Sequence, residues 1–235
     1  MEQAKNYLVI GGTHGIGEHV TRKLCAEGHR VWIWARHANE ALYAANLTFV
    51  QNDVNAASYN MDTLPDALHG FVYCPGTINL KPFHRFTEED FLNDLKVNLI
   101  GAVRTTQAVL PALKKSRDAS IVYFSTVAVA QGMGFHASIA SAKGAIEGLT
   151  RSLAAELAPT VRVNAVAPSL TDTPLAEKLL ATEEKKELAQ KRHPLQRYGN
   201  AENIASLVCF LLSNNSDFIT GQILHADGGL SSVRA

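Results

Sequence analysis

Seven short runs rich in β-branched and aromatic residues, spaced along the chain with longer helical patterns among them, constrain this sequence more than any other feature. They cover residues 7–10 (YLVI), 30–35 (RVWIWA), 47–50 (LTFV), 70–73 (GFVY), 120–124 (SIVYF), 161–166 (VRVNAV) and 223–226 (ILHA). Several are apolar at consecutive positions, which suits a strand whose sheet is covered on both faces. The spacing predicts helices over 15–27, ended by Gly28, over 88–115, over 137–157, stopped by Pro159, and over 201–212. TEEKKELAQKR, residues 182–192, reads as a charge-rich helix with a solvated face. Strands alternating with helices predict an α/β fold, a doubly wound parallel sheet of about seven strands with helices on both faces. Neither an internal repeat nor a linker divides the 235 residues, so residues 1–235 are read as one domain.

The first strand runs into GGTHGIG, residues 11–17, and a helix starts inside that turn. Glycines there let the chain reverse sharply and bring backbone N–H groups and a helix N-terminus up to a phosphate. Such turns also serve plain packing. A strand before and a helix after are the context that favours dinucleotide binding, and both are present.

Composition narrows the partners. Lys and Arg together number 22, as do Asp and Glu, so no overall field would hold nucleic acid or an anionic membrane. A small-molecule ligand is expected instead. Cys25, Cys74 and Cys209 are odd in number and widely spaced, with no disulfide or metal pattern, and the histidines show no metal spacing either. MEQAK leads into NYLVI with no basic region or cleavage site, and no apolar run approaches membrane-spanning length. A reducing cytoplasm is the expected location.

Several motifs in one order resemble the short-chain dehydrogenase/reductase family, in the branch that includes ketoacyl-carrier-protein reductases. The family's T-G-x-x-x-G-x-G corresponds to Ile10-Gly11-Gly12-Thr13-His14-Gly15-Ile16-Gly17, and its N-N-A-G to Tyr73-Cys74-Pro75-Gly76, which keeps only the glycine. The helix asparagine falls on Asn98, the strand-five serine motif on Ser125-Thr126, and P-G-x-x-x-T on residues 168–173, ending at Thr173. Residues 193–229 are similar to the family's C-terminal stretch. The resemblance covers nearly the whole chain and implies a Rossmann-like domain that binds a nicotinamide cofactor. It also implies a substrate lid around 170–195 and a homo-oligomer, a tetramer or a dimer. Apolar and small residues on more than one face of the 88–115 and 137–157 helices fit the latter.

At the end of the second strand, an acidic residue would favour NAD(H) by accepting from the ribose and repelling a 2′-phosphate. Ala35-Arg36-His37 stands there, and His14 precedes Gly15 where the family often has a second base. Arg36 offers a planar cationic fork to phosphate, so NADP(H) is preferred, with NAD(H) as the second choice. A solvated strand-end cation is the plainer alternative for Arg36. Asp53 and Val54 resemble the pair that frames the adenine ring. The 37–69 stretch leaves little room for the helix that usually separates strands two and three in the family.

The family reduces carbonyls with a tyrosine acid, a lysine that holds the ribose, a serine that orients the substrate and an asparagine that anchors a water relay. Lys143 corresponds to the lysine and Asn98 to the asparagine. The serine position falls on Thr126, with Ser125 as the fallback. The tyrosine position falls on Ile139, which has no proton to give. GAIEGLTRSLAAEL fixes the register, and none of Tyr7, Tyr43, Tyr59, Tyr73, Tyr123 and Tyr198 lies near Lys143 in sequence. His136 stands seven residues before Lys143, two turns away on one helix face, the spacing at which enoyl-carrier-protein reductases place their tyrosine. An imidazole side chain can hand over a proton, so His136 is a candidate acid; a satisfied polar group at a helix entrance is the alternative. Ser138 and Ser141 read as cap or solvated residues. Two function classes stay open: an oxidoreductase with an unusual proton donor, or a cofactor-binding protein without turnover.

Overall fold

Alternate side chains on each strand point to opposite faces, and both faces are apolar, so the sheet has to be buried on both sides. In the computed structural model, which describes residues 3–234, the strands are β1 (Asn6–Ile10), β2 (Arg30–Ala35), β3 (Leu47–Gln51), β4 (Gly70–Tyr73), β5 (Ala119–Phe124) and β6 (Val161–Pro168). Two short strands, β7 (Thr171–Asp172) and β8 (Gly199–Asn200), pair with each other, and β9 (Ile223–Ala226) comes last. The main sheet has the order β3-β2-β1-β4-β5-β6-β9 and every pairing in it is parallel. Its seven strands are the seven runs read from the sequence, extended at four places by one or two residues.

The helices are α1 (Gly15–Ala26), α2 (Glu88–Leu95), α3 (Gly101–Ser116), α4 (Val127–Ala130), α5 (Ala137–Leu157), α6 (Glu183–Arg192) and α7 (Ala201–Leu212). Leu8, Ile10, Phe71, Tyr73, Ile121 and Tyr123 face one side, packed with Leu113 of α3 and Ile146 and Leu157 of α5. Their sequence neighbours Tyr7, Val9, Val72, Val122 and Phe124 face the other, packed with Val20 and Leu24 of α1 and Val208 and Leu211 of α7. Every residue of β4 and β5 is buried. Burying one such aliphatic side chain is worth about 1.5–3 kcal/mol, so the two half-cores carry the fold. No helix among the described residues is long and apolar enough to cross a membrane.

One departure from the simplest reading positions the site. The helix expected over 88–115 is interrupted: Lys96–Ile100 is a π-helical segment between α2 and α3. Widening one turn rotates the downstream residues about the helix axis, and such bulges occur often at functional sites. Tyr73 donates its hydroxyl to the Val97 carbonyl within this segment, and Asn98 at its centre is fully buried. The 36–46 connection carries no helix, as its length predicts.

Gly17 shows why the first turn is glycine-rich. A Cβ there would collide with the Gly11 carbonyl oxygen, because α1 starts directly against the end of β1. Gly17→Ala should therefore destabilise the chain by roughly 1–3 kcal/mol, the usual cost of overpacking. Chemical denaturation would show this as a lower midpoint at unchanged slope, and an unaltered midpoint would mean that the turn has slack.

Candidate active site

Strand order reverses beside β1: β2 and β3 are added on one side of it and, after the return from β3, β4 and the later strands on the other. A crevice is expected there, at the carboxyl ends of the strands. A groove of about 470 Å³ opens at this place. Gly11, Thr13, His14, Gly15, Ile16 and Gly17 form its floor at the start of α1. His14 precedes α1 with extended backbone and makes no side-chain hydrogen bond to the first turn, so it leaves the helix N–H groups open to an anion. Its Nδ1 lies 3.0 Å from the Thr13 hydroxyl.

The groove walls hold the remaining expected cofactor residues. Arg36, exposed at the end of β2, has no hydrogen bond or ion pair to its guanidinium among the described residues. Asp53 and Val54 come after β3, and Asp53 caps its own turn by accepting from the Asn55 N–H at 2.9 Å. Pro75 and Gly76 come after β4. Thr173, from beyond β6, lies across from them, and a Cβ on Gly15 would come within 3.5 Å of its side chain. Trp34, Asn52, Thr77, Val97 and Leu175 also line the groove and are not marked by any motif in the sequence. Their positions depend on which strand ends converge, and no local pattern shows that. None of the six tyrosines lines it. Tyr73 and Tyr123 spend their hydroxyls inside the core, the latter 2.7 Å from Thr106 Oγ1.

Behind Gly76 sit Lys143 and Asn98. A Cβ on Gly76 would lie 3.3 Å from Asn98 Oδ1 and 3.6 Å from Lys143 Nζ, so both groups face the space beside this glycine. Lys143 is only 8 % exposed, and burial pulls its ammonium down to about 8 against the opposing pull of Cys74 and Asp94. Asn98 Oδ1 is buried without a partner. An unsatisfied buried acceptor of this kind costs free energy and calls for an account. It lies beside the groove, where a bound group can donate to it.

Ile139 is buried on the same helix, one turn before Lys143. Thr126 precedes α4 and is half-buried; its Oγ1 accepts from the Ala128 N–H, which leaves its proton available. Ser125 donates to Glu147 at 2.8 Å and is committed elsewhere. His136 is half-buried at the start of α5, with Nδ1 2.7 Å from the Gly134 carbonyl, outside the groove lining. Since that carbonyl accepts, Nδ1 carries a proton and Nε2 is free. Ser138 is no cap: it is buried and donates to Asp94 at 2.6 Å. Ser141 is exposed and donates to the Ala137 carbonyl. The segment that closes the far side of the groove is tied by His193, whose ring bridges the Ala189 carbonyl of α6 and Ser169 Oγ after β6. Among the described residues, no three His, Cys, Asp or Glu side chains are grouped to hold a metal ion.

The comparisons with known proteins agree with this geometry. A family model described as enoyl-(acyl carrier protein) reductase matches residues 11–231. A tropinone reductase homolog of Arabidopsis thaliana is 36% identical over 97% of this chain and 94% of its own length. A 3-oxoacyl-[acyl-carrier-protein] reductase of Aquifex aeolicus is 34% identical over 97% and 98%. Among solved structures, the ligand-free aldohexose dehydrogenase of Thermoplasma acidophilum superposes with a TM-score of 0.90 at 29% identity, over 99% of this chain and 96% of that one. ElxO, solved with NADP bound, gives 0.89 at 26% identity, over 98% of this chain and 100% of that one. A single α/β domain with a parallel seven-stranded sheet, a glycine-turn groove at its switch point and full-length similarity to these reductases together establish that this chain belongs to the short-chain dehydrogenase/reductase family of oxidoreductases, on its ketoacyl-reductase-like side.

Proposed function

We propose that this chain is an NADP(H)-dependent oxidoreductase that acts on a small carbonyl or its alcohol, or on an activated double bond, with a proton donor other than tyrosine. The observation that carries this reading is the groove itself, with an unpaired guanidinium at one end and Lys143 and Asn98 behind Gly76 at the other. The fit to a nicotinamide dinucleotide rests on the open N–H groups of α1, the room kept by Gly17 and the orphaned Asn98 Oδ1. When bound, that cofactor supplies the hydride.

The chain's own residues supply the rest. Arg36 and His14 pair with a 2′-phosphate, Asp53 accepts from the adenine amino group and Val54 packs against the ring. Lys143 holds the ribose and Thr173 meets the carboxamide. Ile139 forms an apolar wall that excludes water and suits a hydrophobic substrate, and Thr126 orients the substrate oxygen. His136 releases a proton from the helix mouth. The 170–195 segment acts as a lid, hinged beside β7 and β8. Burial of Ile139 and the absence of any tyrosine from the groove favour a second reading, a cofactor-binding protein without turnover.

Arg36 decides the cofactor. NADPH should bind at least about tenfold more tightly than NADH, since one charge-assisted hydrogen bond contributes roughly 1.5–3 kcal/mol. Arg36→Ala should remove most of that preference in a low-salt titration; equal affinities in the parent chain would sink it.

His136→Ala should slow NADPH consumption on carbonyl or enoyl substrates by about 10²- to 10⁴-fold while cofactor affinity barely moves. Turnover at the parent rate ends the histidine assignment. If no substrate in a broad panel oxidises NADPH while Ile139→Tyr acquires carbonyl reduction, the binding-protein reading prevails.

A homo-oligomer, tetramer or dimer, fits the apolar side chains left outside: Leu92 and Ile100 along the α2–α3 face, and Phe218 and Val233 near the C-terminal strand. Light scattering should report a multiple of the chain mass, and a stable 25.5 kDa particle at micromolar concentration contradicts it.

A further inference from the structure

A buried ammonium needs negative potential nearby, and Ile139 gives Lys143 none. Two ionisable groups act on Lys143: Cys74 at the end of β4 and Asp94 of α2. Burial pushes the Cys74 thiol up to about 12, so it stays neutral throughout the range in which the lysine titrates. Asp94 is then the anion that matters. It is 2 % exposed, and both its oxygens accept hydrogen bonds, from Thr77 Oγ1 and from Ser138 Oγ, each at 2.6 Å.

The direction of these bonds fixes the geometry around the lysine. Asn98 Nδ2 donates to Thr77 Oγ1 and to the Asp94 carbonyl, both at 2.8 Å. Because the Thr77 oxygen receives that N–H, its own proton goes to the Asp94 carboxylate. Because the Asn98 amide nitrogen is used twice on this side, its Oδ1 is turned the other way, toward the space beside Gly76 that Lys143 Nζ also faces. An apolar residue in place of Asp94 would leave the Thr77 and Ser138 protons without their acceptor and remove the carboxylate beside this cluster, while the Asp94 backbone carbonyl would still hold the Asn98 amide.

We infer that Asp94 is a positioning residue for Lys143: its carboxylate, fixed by Thr77 and Ser138 next to the space that Asn98 Oδ1 and Lys143 Nζ face, keeps the lysine protonated at the cofactor ribose in a chain whose helix offers no tyrosine. This rests on the reading that Lys143 serves a bound NADP(H). The sign is fixed. A neutral Asp94 removes stabilisation of the ammonium, so the lysine loses its proton at lower pH. Cofactor contact that depends on the ammonium is then lost earlier as pH rises.

The test begins on the full, unliganded chain, labelled at lysine for NMR, with the Lys143 resonance identified by its loss in Lys143→Arg. The parent midpoint should lie near 8. Asp94→Asn should lower it by roughly one unit, as loss of a nearby opposite charge does, while Ser138→Ala, which keeps the charge, should leave it in place. A midpoint unmoved by Asp94→Asn overturns the inference. Should that variant fail to fold, Asp94→Ser takes its place: it also removes the charge, must also lower the midpoint, and overturns the inference if it does not. NADPH titration across the same pH range gives the second readout. Parent affinity should fall as pH rises through about 8, Asp94→Asn should begin to fall at lower pH, and Lys143→Arg should show no such fall. Absence of NADPH binding at every pH would defeat the cofactor reading alone, because the Lys143 midpoint in the free protein still decides the role of Asp94.

Discussion

A parallel strand meets its neighbour only after the chain has crossed back over one face of the sheet, and here the chain winds outward from β1 to β3, returns past β1 to β4 and then winds the other way. α1 covers one face on the way to β2, while the later helices α3 and α5 cover the other. Between these two layers the carboxyl ends of β1 and β4 have no helix over them. The groove is the gap that this winding leaves, and the crowded Gly11 to Gly17 turn is the shape the chain must take to start a helix at its edge.

The deep end of the groove puts polar chemistry inside that apolar frame. Lys143 lies on α5, whose other buried side chains, Ile146 and Leu157 among them, pack against the sheet. The lysine is therefore held out of water, and its proton is easier to lose than in solution. Asp94, Thr77, Ser138 and Asn98 come from three different parts of the chain and satisfy one another there, apart from the single acceptor of Asn98. A buried polar cluster with one open valence is costly in isolation and useful where a ligand closes it.

Ile139 stands where the family resemblance places a hydroxyl that donates a proton. Its side chain is buried and is not among the residues that line the groove, and in the proposed reading the proton comes from the helix mouth. The polar groups nearby are less committed: the Arg36 guanidinium on the groove wall has no partner among the described residues, and His136, outside the lining, has one ring nitrogen free.

Local patterns determined a good deal without any structure. All seven sheet strands, the limits of α5 and α7, the glycine turn and the cation after β2 are properties of neighbouring residues, and periodicity and motif spacing expose such properties directly; that Ile139 takes the place of a tyrosine is what the family resemblance implies. The π-helical turn at Lys96–Ile100 is invisible to them, because a widened turn leaves the apolar pattern of 88–115 nearly unchanged. Ser138 reads as a helix cap since its partner, Asp94, is 44 residues away, and Thr77 meets the same carboxylate from 17 residues on the other side. Tyr73 and Tyr123 stand at the right strand ends, yet only packing decides that their hydroxyls turn into the core. What a residue can do is written in its side chain and its neighbours; which buried charge it meets is settled when distant segments exclude water from the same space.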